Sequence, residues 1–168
     1  GFSAHCEPEL LEEILSKHGN VLEFVQLQIN YFDWEYKKAK ELYDVARKYN
    51  KPIIIMEPVR GGMLANLPSQ EAKDILVEAT KSVGKEPVSE ASYALRFVEQ
   101  LEGVVLTLSG MSTSEQMTDN VDTFSGSPLE AEELADEIQK YLSIGLEQYT
   151  SVMKEVVDEI SEETNQEI

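Results

Sequence analysis

The chain has 168 residues, with 14 basic and 32 acidic side chains and a formal net charge of -18 at pH 7. A field of that sign repels phosphate backbones and anionic lipid headgroups, so neither nucleic acid nor a membrane surface is expected as a partner. With 42% hydrophobic residues, the chain can bury the core of an ordinary domain. The single cysteine, Cys6, can form neither an internal disulfide nor a thiolate metal site.

Targeting signals are not evident in the sequence. No apolar run approaches the roughly 20 residues of a membrane span. The first five residues have neither the basic region nor the apolar stretch of a secretory signal. The sequence therefore predicts a cytoplasmic location.

The acidity is concentrated in the last quarter of the chain. Residues 127–168 hold twelve acidic residues against two basic ones, Lys140 and Lys154. Apolar residues recur there at helical spacing, which predicts an acidic helical tail over residues 126–168, separate from a domain over residues 1–125. The tail is interpreted either as a solvated helical face or as an acidic docking surface for a partner.

Four segments of the chain carry the apolar patterns of β-strands, near residues 1–5, 23–30, 52–57 and 103–109. The third includes Ile53-Ile54-Ile55-Met56, a continuous apolar run typical of a parallel strand that is buried on both faces.

Segments with a period of 3.6 residues separate these strands and predict helices over residues 8–18, 34–49, 69–83, 89–100 and 115–124. Pro8 suits the first turn of the first helix, and Gly19 suits its end. Ser114 is expected to cap the last one.

The alternation of strands and helices indicates right-handed βαβ units and a parallel sheet. Four such strands fit either a small open doubly wound sheet or half of a (β/α)8 barrel. No Gly-x-Gly-x-x-Gly or P-loop motif follows any predicted strand, which disfavours a nucleotide-binding open sheet. Periodicity alone leaves both folds open.

Five motifs lie at the ends of predicted strands or on the predicted helices that follow them. Three are Gly1-Phe2-Ser3-Ala4-His5, Phe24-Val25-Gln26-Leu27-Gln28-Ile29-Asn30-Tyr31 and Met56-Glu57-Pro58-Val59-Arg60-Gly61-Gly62-Met63-Leu64. The others are Ala91-Ser92-Tyr93-Ala94-Leu95-Arg96-Phe97 and the pair Leu108-Ser109-Gly110-Met111-Ser112 with Glu115-Gln116-Met117-Thr118-Asp119-Asn120. In this order they resemble the second half of an aldo-keto reductase, in the bacterial and archaeal branch of predicted oxidoreductases. The resemblance implies an α/β fold in which residues 1–125 form half of a TIM-type barrel, strands five to eight.

The resemblance also implies an NAD(P)H-dependent oxidoreductase. Ser3 and Gln26 occupy family positions that hold the nicotinamide carboxamide, and Ala4 stands where the family has Asn. A hydroxyl and an amide suit this role because they add no charge near the ring.

The resemblance places the pyrophosphate and adenosine on the loops after the third and fourth predicted strands. Arg60 can pair with phosphate, and a following helix N-terminus favours anions. Gln116 stands where the family has Arg, so NADP and NAD both stay open as the cofactor. The implied contacts on these loops are Pro58, Val59, Arg60, Gly62, Ser109, Gly110, Met111, Ser112, Gln116 and Asn120.

No catalytic residue or metal ligand is assigned in this sequence. The family's catalytic Asp, Tyr, Lys and His lie on its first four strands, whereas the motifs here match from the fifth. His5, at the mouth of a strand, is expected to be structural or to line a substrate rim. The chain is expected to carry part of a cofactor site without reducing a carbonyl by itself.

The alternatives are a non-catalytic half-barrel that serves interaction or regulation, and an open-sheet domain that binds another small ligand. A four-strand parallel sheet leaves two edges unpaired. The sequence therefore predicts a homodimer, or pairing with a separate amino-terminal half that would also be needed to bind a small carbonyl substrate.

Overall fold

A computed structural model of the chain describes residues 1–67, 69–82 and 84–126. The predicted acidic tail lies, except for Gly126, outside the described residues, so the division at residue 125 stays a prediction. No helix within the described ranges is long and apolar enough to cross a membrane.

Four parallel strands form the centre of the fold. They are β1 (Phe2–Ser3), β2 (Val25–Gln28), β3 (Ile53–Met56) and β4 (Val104–Thr107). Each pairs in parallel with the next, in the spatial order β1-β2-β3-β4. A barrel keeps its strands in sequence order, whereas a doubly wound sheet reverses that order at a switch point. The predicted α/β half-barrel of parallel strands is confirmed.

The helices of the described part lie between and after these strands. They are α1 (Pro8–His18), α2 (Tyr31–Tyr36), α3 (Ala39–Lys48), α4 (Gln70–Ser82), α5 (Glu90–Glu99) and α6 (Ser114–Ser125). The prediction of one helix over residues 34–49 was wrong. Lys38 has a left-handed φ of 54° and separates α2 from α3.

Two helix starts also differ from expectation. The Asn30 side chain accepts a hydrogen bond from the Asp33 backbone N–H at 2.7 Å, so α2 begins directly after β2. The prediction that Ser114 caps α6 was wrong by one residue. Thr113 is the cap, and it forms a reciprocal capping box with Gln116.

The two faces of the sheet differ in burial. Val25, Leu27, Ile53 and Ile55 point toward the helices and are fully buried. The opposite face includes Gln26, Gln28, Ile54 and Met56, all of which are half-buried. The expectation that β3 is buried on both faces was therefore wrong, because the described chain covers this inner face of the sheet only in part.

Candidate functional site

A cavity of about 640 Å³ opens at the carboxyl ends of β3 and β4. Its walls are the loop after β3 (residues 57–62), the loop after β4 (residues 108–113), the start of α6 and Ala91 of α5. Parallel α/β sheets bind ligands at this edge. The volume lies within the range of about 300–1,000 Å³ that is common for ligand pockets.

Most of the predicted cofactor contacts come together around this cavity. Nine of the twelve line it: Pro58, Val59, Gly62, Ser109, Gly110, Met111, Ser112, Gln116 and Asn120. Ser3, Gln26 and Arg60 do not. The cofactor contacts themselves stay predictions.

Ser3 and Gln26 lie side by side on the inner face of the sheet, where the strand register pairs them. The Gln26 Nε2 atom lies 3.3 Å from the sulfur of Met56, which lines the cavity. Because a thioether is a weak acceptor, this contact leaves the amide available for a better partner. Gln26, with Ser3 beside it on β1, therefore contacts a residue that lines the cavity.

The loop after β3 has an unusual backbone. Glu57, Arg60, Gly61 and Gly62 all have positive φ, between 49° and 90°. For the two non-glycine residues this conformation costs about 1–2 kcal/mol each. At Gly62, a Cβ atom would meet no atom within 4 Å. Two strained non-glycine residues in one short loop are typical of a functional loop that its surroundings hold in place.

Arg60 is turned toward Asp33 at the start of α2. Its Nε donates to the Asp33 Oδ1 at 3.2 Å, and its guanidinium carbon lies 4.6 Å from the centre of the Phe32 ring. The Arg60 side chain is 14% exposed and that of Asp33 is fully buried. The cation expected to face phosphate therefore belongs, in this structure, to a buried ion pair beside the loop.

Asp33 joins the end of β2 to the loop after β3. Its Oδ2 accepts from Gln28 Nε2 at 2.7 Å and from Asn30 Nδ2 at 2.9 Å. Asn30 Nδ2 also donates to the backbone carbonyl of Glu57 at 2.9 Å. None of the sequence motifs pointed to this cluster. One signal was present, because Asn followed three residues later by an acid, directly after an apolar run, indicates a helix start and could have drawn attention to Asp33.

The loop after β4 is held by α6. Asn120 is buried and its Nδ2 donates to the Ser109 hydroxyl at 2.9 Å. The Gln116 Oε1 accepts from the Ser112 backbone N–H at 2.8 Å and from its hydroxyl at 3.2 Å. The two residues expected on the adenosine side therefore also fix the loop that lines the cavity.

The cavity is neutral to acidic. Among the described residues that line it, none is lysine or arginine, and Glu57 is acidic. At the start of α6, the Glu115 carboxylate accepts hydrogen bonds from its own backbone N–H and from the Thr113 side chain. Both hydrogen bonds lower the pKa of Glu115. The Glu115 carboxylate thus already occupies the anion-binding position at the N-terminus of α6. A phosphate bound in the cavity would therefore depend on neutral hydrogen-bond donors.

His5 lies at a second, smaller cavity of about 220 Å³ near the ends of β1 and β2, with Cys6 and Lys37. Burial raises the pKa of the Cys6 thiol, and nearby Glu7 raises it further. The thiol therefore stays protonated at neutral pH and is a poor nucleophile or ligand. The described residues contain no group of three or more His, Cys, Asp or Glu placed to hold a metal ion.

Comparison with known families decides what kind of protein carries this cavity. The sequence model of the Aldo/keto reductase family matches residues 1–141. The chain belongs to the aldo/keto reductase family. The match begins at the first residue and includes every loop that lines the cavity, so the family resemblance of the motifs is confirmed.

Solved aldo-keto reductases share the fold. The holo form of AKR11C1 from Bacillus halodurans has a TM-score of 0.64 and 20% identity, over 84% of this chain and 49% of its own. The thermostable Tm1743, solved with the inhibitor epalrestat, has a TM-score of 0.61 and 22% identity, over 85% of this chain and 47% of its own. The chain thus spans about half the length of these structures. No curated protein matches it.

Proposed function

We propose that this chain is the carboxyl-terminal portion of an NAD(P)H-dependent aldo/keto reductase and that its cavity holds the pyrophosphate and adenosine of NADP or NAD. One observation carries the proposal. Nine residues that family motifs associate with the cofactor, taken from two separate loops and a helix, line one cavity at the carboxyl edge of the sheet. The nicotinamide would extend from the cavity along the inner face toward Gln26 and Ser3.

The charge of the cavity predicts how it would discriminate between cofactors. The hydroxyls of Ser109 and Ser112 and the amide of Asn120 are neutral groups that can donate to phosphate or ribose. Because no described lining residue is cationic, the extra 2′-phosphate of NADPH gains no charge-assisted contact there. NADPH and NADH are therefore expected to bind with similar, weak affinity.

Calorimetric titration with NADPH and NADH tests the proposal. A Cβ atom at Gly110 meets nothing within 4 Å, so Gly110→Ala should fold normally yet place a methyl group in the ligand's space. We expect the affinity to fall about tenfold, the usual cost of modest overpacking. Arg60→Ala removes the side chain that pairs with Asp33 beside the loop after β3, and by disturbing that loop it should also lower the affinity about tenfold.

Gly19→Ala is the matched control. Gly19 follows α1, where it has an ordinary φ of -56°, and an added Cβ would make only a normal contact, 3.7 Å from the Lys51 side chain. This variant should bind both nucleotides as the wild type does. Equal affinities for wild type, Gly110→Ala and Arg60→Ala would contradict the assigned site.

A non-catalytic half-barrel that dimerises or pairs with a separate amino-terminal half is the second candidate function. Its support is an apolar surface along β4 and α6, where Val105, Leu106, Met117, Val121 and Phe124 are each 40–63% exposed. Water contact with so much apolar surface is unfavourable, which favours association. We expect sedimentation at micromolar concentration to give about twice the mass of the chain. A monomer that unfolds cooperatively over that range would contradict this expectation.

A further inference from the structure

We propose that Asp33 is a positioning residue, which holds Arg60 beside the loop after β3 and so fixes the left-handed backbone that walls the cavity. The role of the loop in binding a dinucleotide rests on the proposed function. The link between Asp33 and the conformation of the loop rests on contacts of the described residues alone.

Three side-chain hydrogen bonds hold the Asp33 carboxylate. Oδ1 accepts from Arg60 at 3.2 Å, and Oδ2 accepts from Gln28 at 2.7 Å and from Asn30 at 2.9 Å. The side chain is fully buried, so its charge depends on the Arg60 guanidinium for compensation. Both oxygens are thus used by groups from β2, from its end and from the loop after β3.

The Arg60 side chain is confined by its neighbours. Besides Asp33, the guanidinium has the Phe32 ring on one side and the sulfur of Met63 3.2 Å from its Nη1. A side chain with these three neighbours has little rotamer freedom. Its Cα is thereby held in place, and with it the φ of 49° that an L-residue rarely adopts.

The same cluster of hydrogen bonds includes Glu57, the other non-glycine residue with a left-handed backbone. Asn30, which is bound to Asp33, donates to the Glu57 carbonyl at 2.9 Å. The Glu57 carboxylate in turn accepts from the Gly61 backbone N–H at 2.5 Å. Both left-handed non-glycine residues of the loop are therefore anchored, directly or through one side chain, to Asp33.

Amide hydrogen exchange without nucleotide tests this role. The Gly62 and Leu64 amides donate to the Val59 carbonyl at 3.0 and 3.1 Å, and they report whether the loop keeps its conformation. Asp33→Asn keeps the shape of the side chain but removes its charge. We expect it to speed exchange at both amides at least about tenfold more than at the amides of β3, which report on the stability of the whole domain.

Two further variants separate positioning from general stability. Lys51→Met removes the two hydrogen bonds from Lys51 to the carbonyls of Gly19 and Leu22, away from the loop, and should leave loop exchange unchanged. If Asp33→Asn does not fold, Arg60→Met should loosen the loop in its place and Arg60→Lys should partly restore it. Unchanged loop exchange in both Asp33→Asn and Arg60→Met, or a rise in loop exchange in Lys51→Met as large as theirs, would overturn the proposal.

The outcome is independent of cofactor binding. If the variants loosen the loop but wild-type chain binds neither NADPH nor NADH, the positioning role stands and the proposed function fails. If both nucleotides bind and loop exchange does not respond to Asp33→Asn, the positioning role is overturned and the proposed function stands.

Discussion

The chain by itself should show no turnover of a carbonyl substrate with either NADPH or NADH. Hydride transfer to a carbonyl requires a proton donor near the developing alkoxide, and a positioned donor contributes a factor of about 10²–10⁴. Under the proposed function, the family's catalytic Asp, Tyr, Lys and His are expected on strands that a separate polypeptide would supply. Cofactor consumption, followed by its absorbance with a panel of small aldehydes, should therefore stay at the background rate.

Two tyrosines after β2 are the nearest substitutes for a donor, and the structure disfavours the first of them. Tyr31 is fully buried in the core, with its ring edge-on to Phe97, whereas Tyr36 is 43% exposed.

Adding a polypeptide that supplies the first four strands of the family fold should produce turnover where the chain alone gives none. Activity of the isolated chain that disappears in Tyr31→Phe or Tyr36→Phe would contradict the account.

Asp33→Ala should lower the free energy of unfolding by about 3–5 kcal/mol, because it leaves the Arg60 guanidinium without its carboxylate at a nearly buried position. It also removes the acceptor of the Gln28 and Asn30 side chains. For a domain whose whole stability is about 5–15 kcal/mol, this loss is large. Urea unfolding followed by circular dichroism measures it.

Asp44→Ala is the matched control for that loss. Asp44 accepts from Lys40 at 2.7 Å one turn away on α3, but both side chains are more than half exposed. Exposed pairs of this kind contribute about 0.2–1 kcal/mol, so the variant should unfold close to the wild type. Similar losses for Asp33→Ala and Asp44→Ala would contradict the burial and pairing that we assign to Asp33.

The strands and most helices could be predicted from the sequence because local patterns determine them. The alternation in Val25–Gln28 and the apolar run of Ile53–Met56 are local signals, and the structure has strands at both. The break between α2 and α3 could not be predicted. It depends on a left-handed Lys38, a residue type with no preference for that conformation, and on the early start of α2 at Asn30.

Nine residues that line the cavity could be predicted from the sequence, but the electrostatics of the site could not. Motifs indicated the two loops, because each motif lies within a few residues of a strand end. The pairing of Arg60 with Asp33 joins residues 27 positions apart and depends on β2 lying beside β3. Sequence therefore suggested a cation facing phosphate, whereas the tertiary fold places that cation against a buried carboxylate.

The most direct test of the cofactor site is to titrate the ¹⁵N-labelled chain with NADPH and follow its glycine amide resonances. Gly62 and Gly110 line the cavity, whereas Gly19 and Gly103 precede β2 and β4 at the opposite edge of the sheet. If the cavity holds the nucleotide, the Gly62 and Gly110 signals shift in a saturable manner while those of Gly19 and Gly103 stay in place. Saturable shifts confined to Gly19 and Gly103, or no shift at Gly62 and Gly110 at millimolar nucleotide, would contradict it.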